Sequence, residues 1–330
     1  MPHVYVSNAD SGDITVLHMA AGGDLTLQSR LELGGRLMPM ALHPSRRVLV
    51  VARRSPPMAA LCLAVDPATG ELQRLAETPL PASMAYLSMD LSGRWLLAAS
   101  YPDHLLTVSP MHEDGRVGAV TQVLPTGPHA HAIMLAPSGR HVLATALGAD
   151  LLMVLDWDAD TGQLRPAQHW QARPGAGPRH FRFDPPGRCV YLLNELDGSL
   201  DVLSWNPAQG RLSHLQTVNT LPPGFTGQPW AADLHLTPDG RQLYSSERRS
   251  STLAHFAVDP DTGLLSAQGH TPVESQPRGF AIDPAGRQLL VVGELSQHLS
   301  RLSIHPDSGQ LTFEQRIPVG QGPNWVEILP

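Results

Sequence analysis

DPATGEL (Asp66–Leu72), DADTGQL (Asp158–Leu164), DPDTGLL (Asp259–Leu265) and HPDSGQL (His305–Leu311) are four copies of one turn. Looser copies are MAAGGDL (Met19–Leu25), HEDGRV (His112–Val117) and NPAQGRL (Asn206–Leu212). The seven glycines are Gly23, Gly70, Gly115, Gly162, Gly210, Gly263 and Gly309, and their steps are 47, 45, 47, 48, 53 and 46 residues. A period in the forties, with short strands between turns, is the signature of a β-propeller. A ring brings equivalent positions of every repeat around one axis, so the repeat predicts which side chains meet.

A second repeat, Pro-x-Gly-Arg or a near match, ends at Arg47, Arg94, Arg140, Arg188, Arg241 and Arg287, each 21 to 23 residues before the glycine of its own repeat. The missing seventh copy falls on the chain ends. GPNWVEIL (Gly322–Leu329) is similar to GPRHFRF (Gly177–Phe183), and HVYVSNAD (His3–Asp10) to CVYLLNEL (Cys189–Leu196). One blade is therefore expected to combine both termini, which removes an exposed sheet edge. Runs such as VLVVAR (Val48–Arg53), HVLATAL (His141–Leu147) and QLLVVG (Gln288–Gly293) are short, apolar and bounded by turn residues, as strands are. No long helix is expected. The fold class is all-β: a seven-bladed propeller of four-stranded blades, one domain over residues 1–330, with the sevenfold repeat overriding the two domains that length alone suggests.

Charged residues are 16% of the chain, as expected when many strands are covered on both faces. There is no lysine; all 23 basic residues are arginine, which excludes Schiff-base chemistry and a Walker-type lysine. A net charge of −7 argues against nucleic acid. Cys62 and Cys189 lie in apolar runs and read as small core residues. The N-terminus turns polar by Ser7 and no apolar run approaches a membrane span, so a cytoplasmic protein is expected. No obligatory protein partner is inferred. His129 and His131 lack a third ligand, so neither a metal nor any other cofactor is expected.

Nine residues before each Gly-Arg arginine stand Met38, Ala85, His131, Arg179, Ala232 and Arg278, and motif alignment adds Asn324. Seven residues after it stand Arg54, Tyr101, Leu147, Glu195, Arg248 and Glu294, with Ala9 in the closing blade. The first set is expected where each chain segment starts the inner strand, and the second near the end of the next strand, which runs back to the same face. Both then point at one mouth of the channel. Inward charges need partners or a ligand. The Gly-Arg arginines recur too regularly to be a site and are expected on the blade rims. The longer step spans Thr217–His235, a loop that could rim a pocket or be a plain surface insertion.

GAGPRH (Gly175–His180), NEL (Asn194–Leu196), WAADLHLTPDGR (Trp230–Arg241), ESQPRGF (Glu274–Phe280) and VGQGPNWV (Val319–Val326) resemble the bacterial propeller-type 6-phosphogluconolactonases, over nearly the whole chain. The resemblance implies a seven-bladed lactonase that hydrolyses 6-phospho-D-glucono-1,5-lactone in the pentose phosphate pathway without a metal. The same superfamily includes the fungal carboxy-cis,cis-muconate lactonising enzyme, whose site roles, matched motif by motif, would fall on His131, Arg179, Glu195 and Arg278. Arg53 and Arg54 form a pair where one basic residue is expected, and which of them points inward stays open. Arginine suits a phosphate dianion through bidentate, charge-assisted hydrogen bonds. Arg278, with Arg54 or Arg248, is expected on the phosphate, with His180 in the same binding set, and Arg179 on the lactone carbonyl. His131, which ordinarily titrates near neutral pH, is preferred over Glu195 as the base. A lactonase or cycloisomerase for another carboxylated or phosphorylated lactone, a metal-dependent gluconolactonase, and a non-enzymatic scaffold are the alternatives.

Overall fold

Seven four-stranded antiparallel sheets follow one another around an axis in a computed structural model that describes residues 2–330. We number the blades by their inner strands: Leu37–Leu42 (blade 1), Met84–Met89 (blade 2), Ala130–Leu135 (blade 3), Pro178–Phe183 (blade 4), Ala231–Leu236 (blade 5), Pro277–Ile282 (blade 6) and Pro323–Leu329 (blade 7). Blade 7 is the expected composite: the C-terminal Pro323–Leu329 pairs with His3–Asn8, followed by Asp13–Met19 and Leu25–Glu32. Among the described residues the only helical element is a 3₁₀ turn at Leu147–Ala149, and no helix is long and apolar enough to cross a membrane.

The two sequence repeats interlock. Each repeat glycine has positive φ, and, besides Arg301 at Gly23 and His255 at Gly309, a Cβ there would come within 3.0 Å of one residue of the preceding blade, at a position that recurs in every repeat. Those residues are Gln288, His3, Val48, Trp95, His141, Cys189 and Gln242 for Gly23, Gly70, Gly115, Gly162, Gly210, Gly263 and Gly309 in turn. Six of them stand immediately after a Gly-Arg arginine, and His3 is the closing blade's equivalent. The glycine turn of one blade thus docks on the start of the second strand of its neighbour. Tyrosines reinforce the joint, since Tyr5, Tyr191 and Tyr244 hydroxyls donate to the carbonyls of Gly70, Gly263 and Gly309 at 2.9, 2.9 and 2.5 Å. The Gly-Arg arginines are exposed on the rim. Apolar clusters fill the spaces between blades, and Cys62 and Cys189 are both buried and free.

This architecture builds the mouth. The first set of ring residues is the second residue of every inner strand, and the second set is the first residue beyond every second strand. The backbone N–H of Arg54, Leu147, Glu195, Arg248, Glu294 and Ala9 donates to the carbonyl of Arg36, His129, Gly177, Trp230, Gln276 and Gly322 respectively. Every inner strand of blades 1 to 6 also carries a β-bulge at its ring residue. A bulge breaks the alternation of faces and re-aims side chains, as it often does at barrel rims.

Candidate active site

His131, Arg179, Glu195, Arg248, Arg278, Glu294 and Arg54 come together at one end of the channel. Glu195 Oε2 is the centre of a buried ion triad, 2.8 Å from Arg179 Nε and 2.9 Å from Arg248 Nη2. Arg179 is 1% exposed, and its Nη1 donates to the Ala232 carbonyl. Arg248 is largely engaged: it donates to the carbonyls of Trp230 and Ala231 at 3.0 and 3.1 Å, and the Trp230 ring covers its guanidinium at 3.8 Å. These contacts leave only its Nη1 for the role expected of it on the phosphate. The long loop before Trp230 accordingly acts here as a clamp on Arg248.

Beside the triad, Ala9, Arg36, Met38, Arg54, Ser83, Arg278 and Glu294 line a cavity of about 310 Å³. Three guanidinium groups and one carboxylate line it, on a chain of net charge −7; with Arg36 paired to Asp10 outside the lining, one positive charge, that of Arg54, is left over. Arg278 Nη1 lies 3.3 Å from Glu294 Oε1, whose other oxygen accepts from Gln276 Nε2 at 2.7 Å. Arg54 has no carboxylate; its Nε donates to Ser83 Oγ at 3.0 Å. Its pKa is lowered to about 10 by burial and by Arg278, Arg36 and Arg179. The ambiguity within the arginine pair is resolved by geometry: Arg53 turns outward to Glu77 and the Pro57 carbonyl, and Arg54 turns into the mouth.

Arg36 was not among the expected residues. It stands two positions before Met38, in a third ring with Ser83, His129, Gly177, Trp230, Gln276 and Gly322. Comparing that offset across repeats identifies it. Its exposed side chain pairs with Asp10 at 3.1 Å, a contact of little energetic weight at the surface.

His131 and His180 depart from expectation. His131 is 4% exposed, packed edge-on against Tyr101 and His180 at centroid distances of 5.8 and 5.1 Å. Burial, then Arg179, His180, Arg278 and Arg248, hold its pKa well below the ordinary 6.5, so it does not titrate near neutral pH. His180 is 2% exposed and lies beneath the mouth, where its Nδ1 is 2.8 Å from Asp233 Oδ1, so it cannot belong to a phosphate-binding set. Regular alternation would put Arg179 and His180 on opposite faces; the bulge between Pro178 and His180 turns both inward. His129, outside the strand at φ 64°, stacks on Tyr101 at 4.2 Å. No group of three or more His, Cys, Asp or Glu arranged to hold a metal occurs among the described residues.

A second cavity of about 370 Å³ opens at the other end of the channel, lined by Tyr86, Arg182, Asp233, His235, Trp325 and Glu327 among others. Arg182 is engaged there by Tyr86 Oη at 2.9 Å and lies 3.7 Å from Asp233. This end offers no surplus of cations, and the arginine-rich end is the candidate site despite its smaller volume.

Residues 3–328 match the family described as "Lactonase, 7-bladed beta-propeller". The 6-phosphogluconolactonase of Pectobacterium carotovorum is 40% identical over 330 residues, covering 99% of this chain and 98% of the relative. That of Serratia proteamaculans is 39% identical with the same coverage. Among solved structures, the periplasmic gluconolactonase of Pseudomonas aeruginosa, PpgL, superimposes with a TM-score of 0.92 at 29% identity, covering 99% of both chains.

Proposed function

The chain belongs to the seven-bladed β-propeller lactonase family, and from that membership and the chemistry of the mouth we propose that it hydrolyses 6-phospho-D-glucono-1,5-lactone to 6-phosphogluconate, the lactone-opening step of the pentose phosphate pathway. Full-length curated relatives carry that activity in their names. The observation that carries the phosphorylated substrate is the excess of positive charge in the cavity of Arg36, Arg54 and Arg278, where Arg54 has no carboxylate. A phosphate monoester is a dianion near neutral pH, and Arg forks match its oxygens. An unphosphorylated gluconolactone, the substrate class that the name of PpgL indicates, would leave Arg54 crowded by its neighbours and without a carboxylate. A phosphorylated substrate also locates the work in the cytoplasm.

In this reading Arg54, Arg278 and Arg36 hold the phosphate. Arg179, fixed by Glu195 and the Ala232 carbonyl, faces the lactone carbonyl and stabilises the oxyanion as water adds. His131 is neutral under working conditions, so it can accept the water proton. When the tetrahedral intermediate collapses, the bond from the acyl carbon to the ring oxygen breaks, and His131 returns the proton to that oxygen. The acid then ionises to solvent. His131 is a weak base because of its burial and the cations around it, and electrostatic positioning carries most of the acceleration. No metal enters the scheme.

Turnover of fresh 6-phosphogluconolactone, corrected for spontaneous hydrolysis, by wild type and by Arg179→Met tests the assignment. Loss of about 10²- to 10³-fold in kcat is expected, the range for an oxyanion donor; an undiminished rate would reject it.

A further inference from the structure

Below His131 lies a buried polar chain that the scheme above does not use. Asp233 is 5% exposed at the centre of the channel. Its Oδ1 accepts from the backbone N–H of Leu234 at 2.9 Å and from His180 Nδ1 at 2.8 Å, and its Oδ2 lies 3.1 Å from His235 Nε2. Arg182 Nη2 adds a cation at 3.7 Å from Oδ1. With these neighbours Asp233 is ionised, although burial opposes it. Burial and Arg179 keep His180 neutral. A neutral imidazole that gives its one N–H to a carboxylate through Nδ1 must carry a bare lone pair on Nε2.

That Nε2 is sealed from solvent and has no partner, and in the adjoining ring of His131 the nitrogen Nδ1 is sealed and partnerless as well. The two rings meet edge to face, with centroids 5.1 Å apart and planes at 65°. A buried acceptor and a buried nitrogen of undefined tautomer in touching rings can satisfy each other in one arrangement: His131 carries its proton on Nδ1 and offers it to His180 Nε2. Of the two nitrogens of His131, Nε2 then holds the lone pair and is the one left to face the mouth. Hydrogen bonds of catalytic groups are often long in the unliganded enzyme and tighten on loading.

We propose that Asp233 and His180 are positioning residues for the lactonase reaction: Asp233 fixes the tautomer of His180, and His180 in turn fixes His131 as the Nδ1–H form, with Nε2 turned to the attacking water. The proposal rests on the reading of His131 as the base. A carboxylate ordering an imidazole is a known device for holding a base in its working tautomer. Here the order passes through a second imidazole.

The experiment is ¹H–¹⁵N correlation of the imidazole nitrogens in the full-length protein labelled at histidine, with His131→Gln and His180→Gln to assign the signals. Wild type is expected to show single Nδ1–H tautomers for both residues. Asp233→Asn, whose amide no longer demands a proton from His180, is expected to lose the single tautomer of His131. Its kcat should fall about 10- to 100-fold with KM unchanged, a part of the roughly 10²–10⁴ that a positioned base supplies. A wild-type His131 protonated on Nε2 overturns the proposal, and that spectrum decides the matter even if Asp233→Asn fails to fold. A folded Asp233→Asn with both tautomers and kcat intact overturns it equally. Undiminished turnover by His131→Ala is a different failure: it removes the base itself, whatever the tautomers show.

Discussion

Arg54→Met separates the phosphate-binding reading from a general role for the mouth. Arg54 is half-buried, it is the one guanidinium of the cavity with no carboxylate, and it is crowded by Arg278, Arg36 and Arg179. Its contacts are one hydroxyl, Ser83 Oγ at 3.0 Å, and the thioether of Met38 at 3.5 Å. Removing it from the free protein relieves repulsion from three arginines and forfeits one charge-assisted hydrogen bond to a hydroxyl, terms of opposite sign, so Tm should change little. Binding of the phosphorylated substrate loses a charge-assisted hydrogen bond, about 1.5–3 kcal/mol. At about 1.4 kcal/mol per decade that is about 10- to 100-fold in kcat/KM, carried mainly by KM. Gluconolactone without a phosphate makes no such contact and should change less than about threefold. The assay compares release of acid from both lactones at slightly acid pH, with the uncatalysed rate subtracted. Equal losses on the two substrates would refute the reasoning, because Arg54 would then serve the reacting centre rather than the phosphate.

Three further outcomes are expected. The catalysed rate should hold from pH 8 down to pH 6 and fall only well below 6.5, because burial, Arg179, His180, Arg278 and Arg248 keep His131 in its neutral, accepting form as pH drops; a pH profile with its acid limb at 6.5 or above contradicts this. Gly162→Ala should cost about 2–4 kcal/mol in denaturant unfolding, from the left-handed backbone at φ 67° and a Cβ driven against the Trp95 ring. Gly34→Ala, at φ 77° in open space, pays the backbone part alone, about 1–2 kcal/mol. Glu327→Gln should raise Tm at pH 8 and leave it unchanged at pH 4: burial pushes the Glu327 carboxyl up to about 7 against the Trp325 N–H and Arg182, so the folded state holds a proton that the unfolded state releases near 4.5, and stability falls as pH rises between those values.

The blade count, the composite seventh blade and both rings of mouth residues were legible because each repeat supplies an independent reading of the same position. The glycine turn and the Gly-Arg turn proved to be two halves of one joint, as Gly162 on Trp95 and Gly263 on Cys189 show. The orientation of single side chains was less legible. The bulge at Pro178/His180 sets His180 inward beside Arg179, and bulges leave no mark in a period-two pattern. Arg248 looked free because its partners, the carbonyls of Trp230 and Ala231 and the Trp230 ring, are brought to it by a loop of irregular length. Asp233 was hidden for the same reason as His180, one position past a ring residue in a strand whose register shifts. The depressed pKa of His131 follows from burial and from cations of blades 4, 5 and 6 converging on it, a sum that no local stretch of sequence contains.

The most direct test is a crystal structure with 6-phosphogluconate bound. The phosphate should lie among Arg36, Arg54 and Arg278 and the carboxylate beside Arg179, within reach of His131. Density for the sugar acid in the opposite chamber, against Arg182 and Trp325, with the arginine mouth empty, would contradict the account.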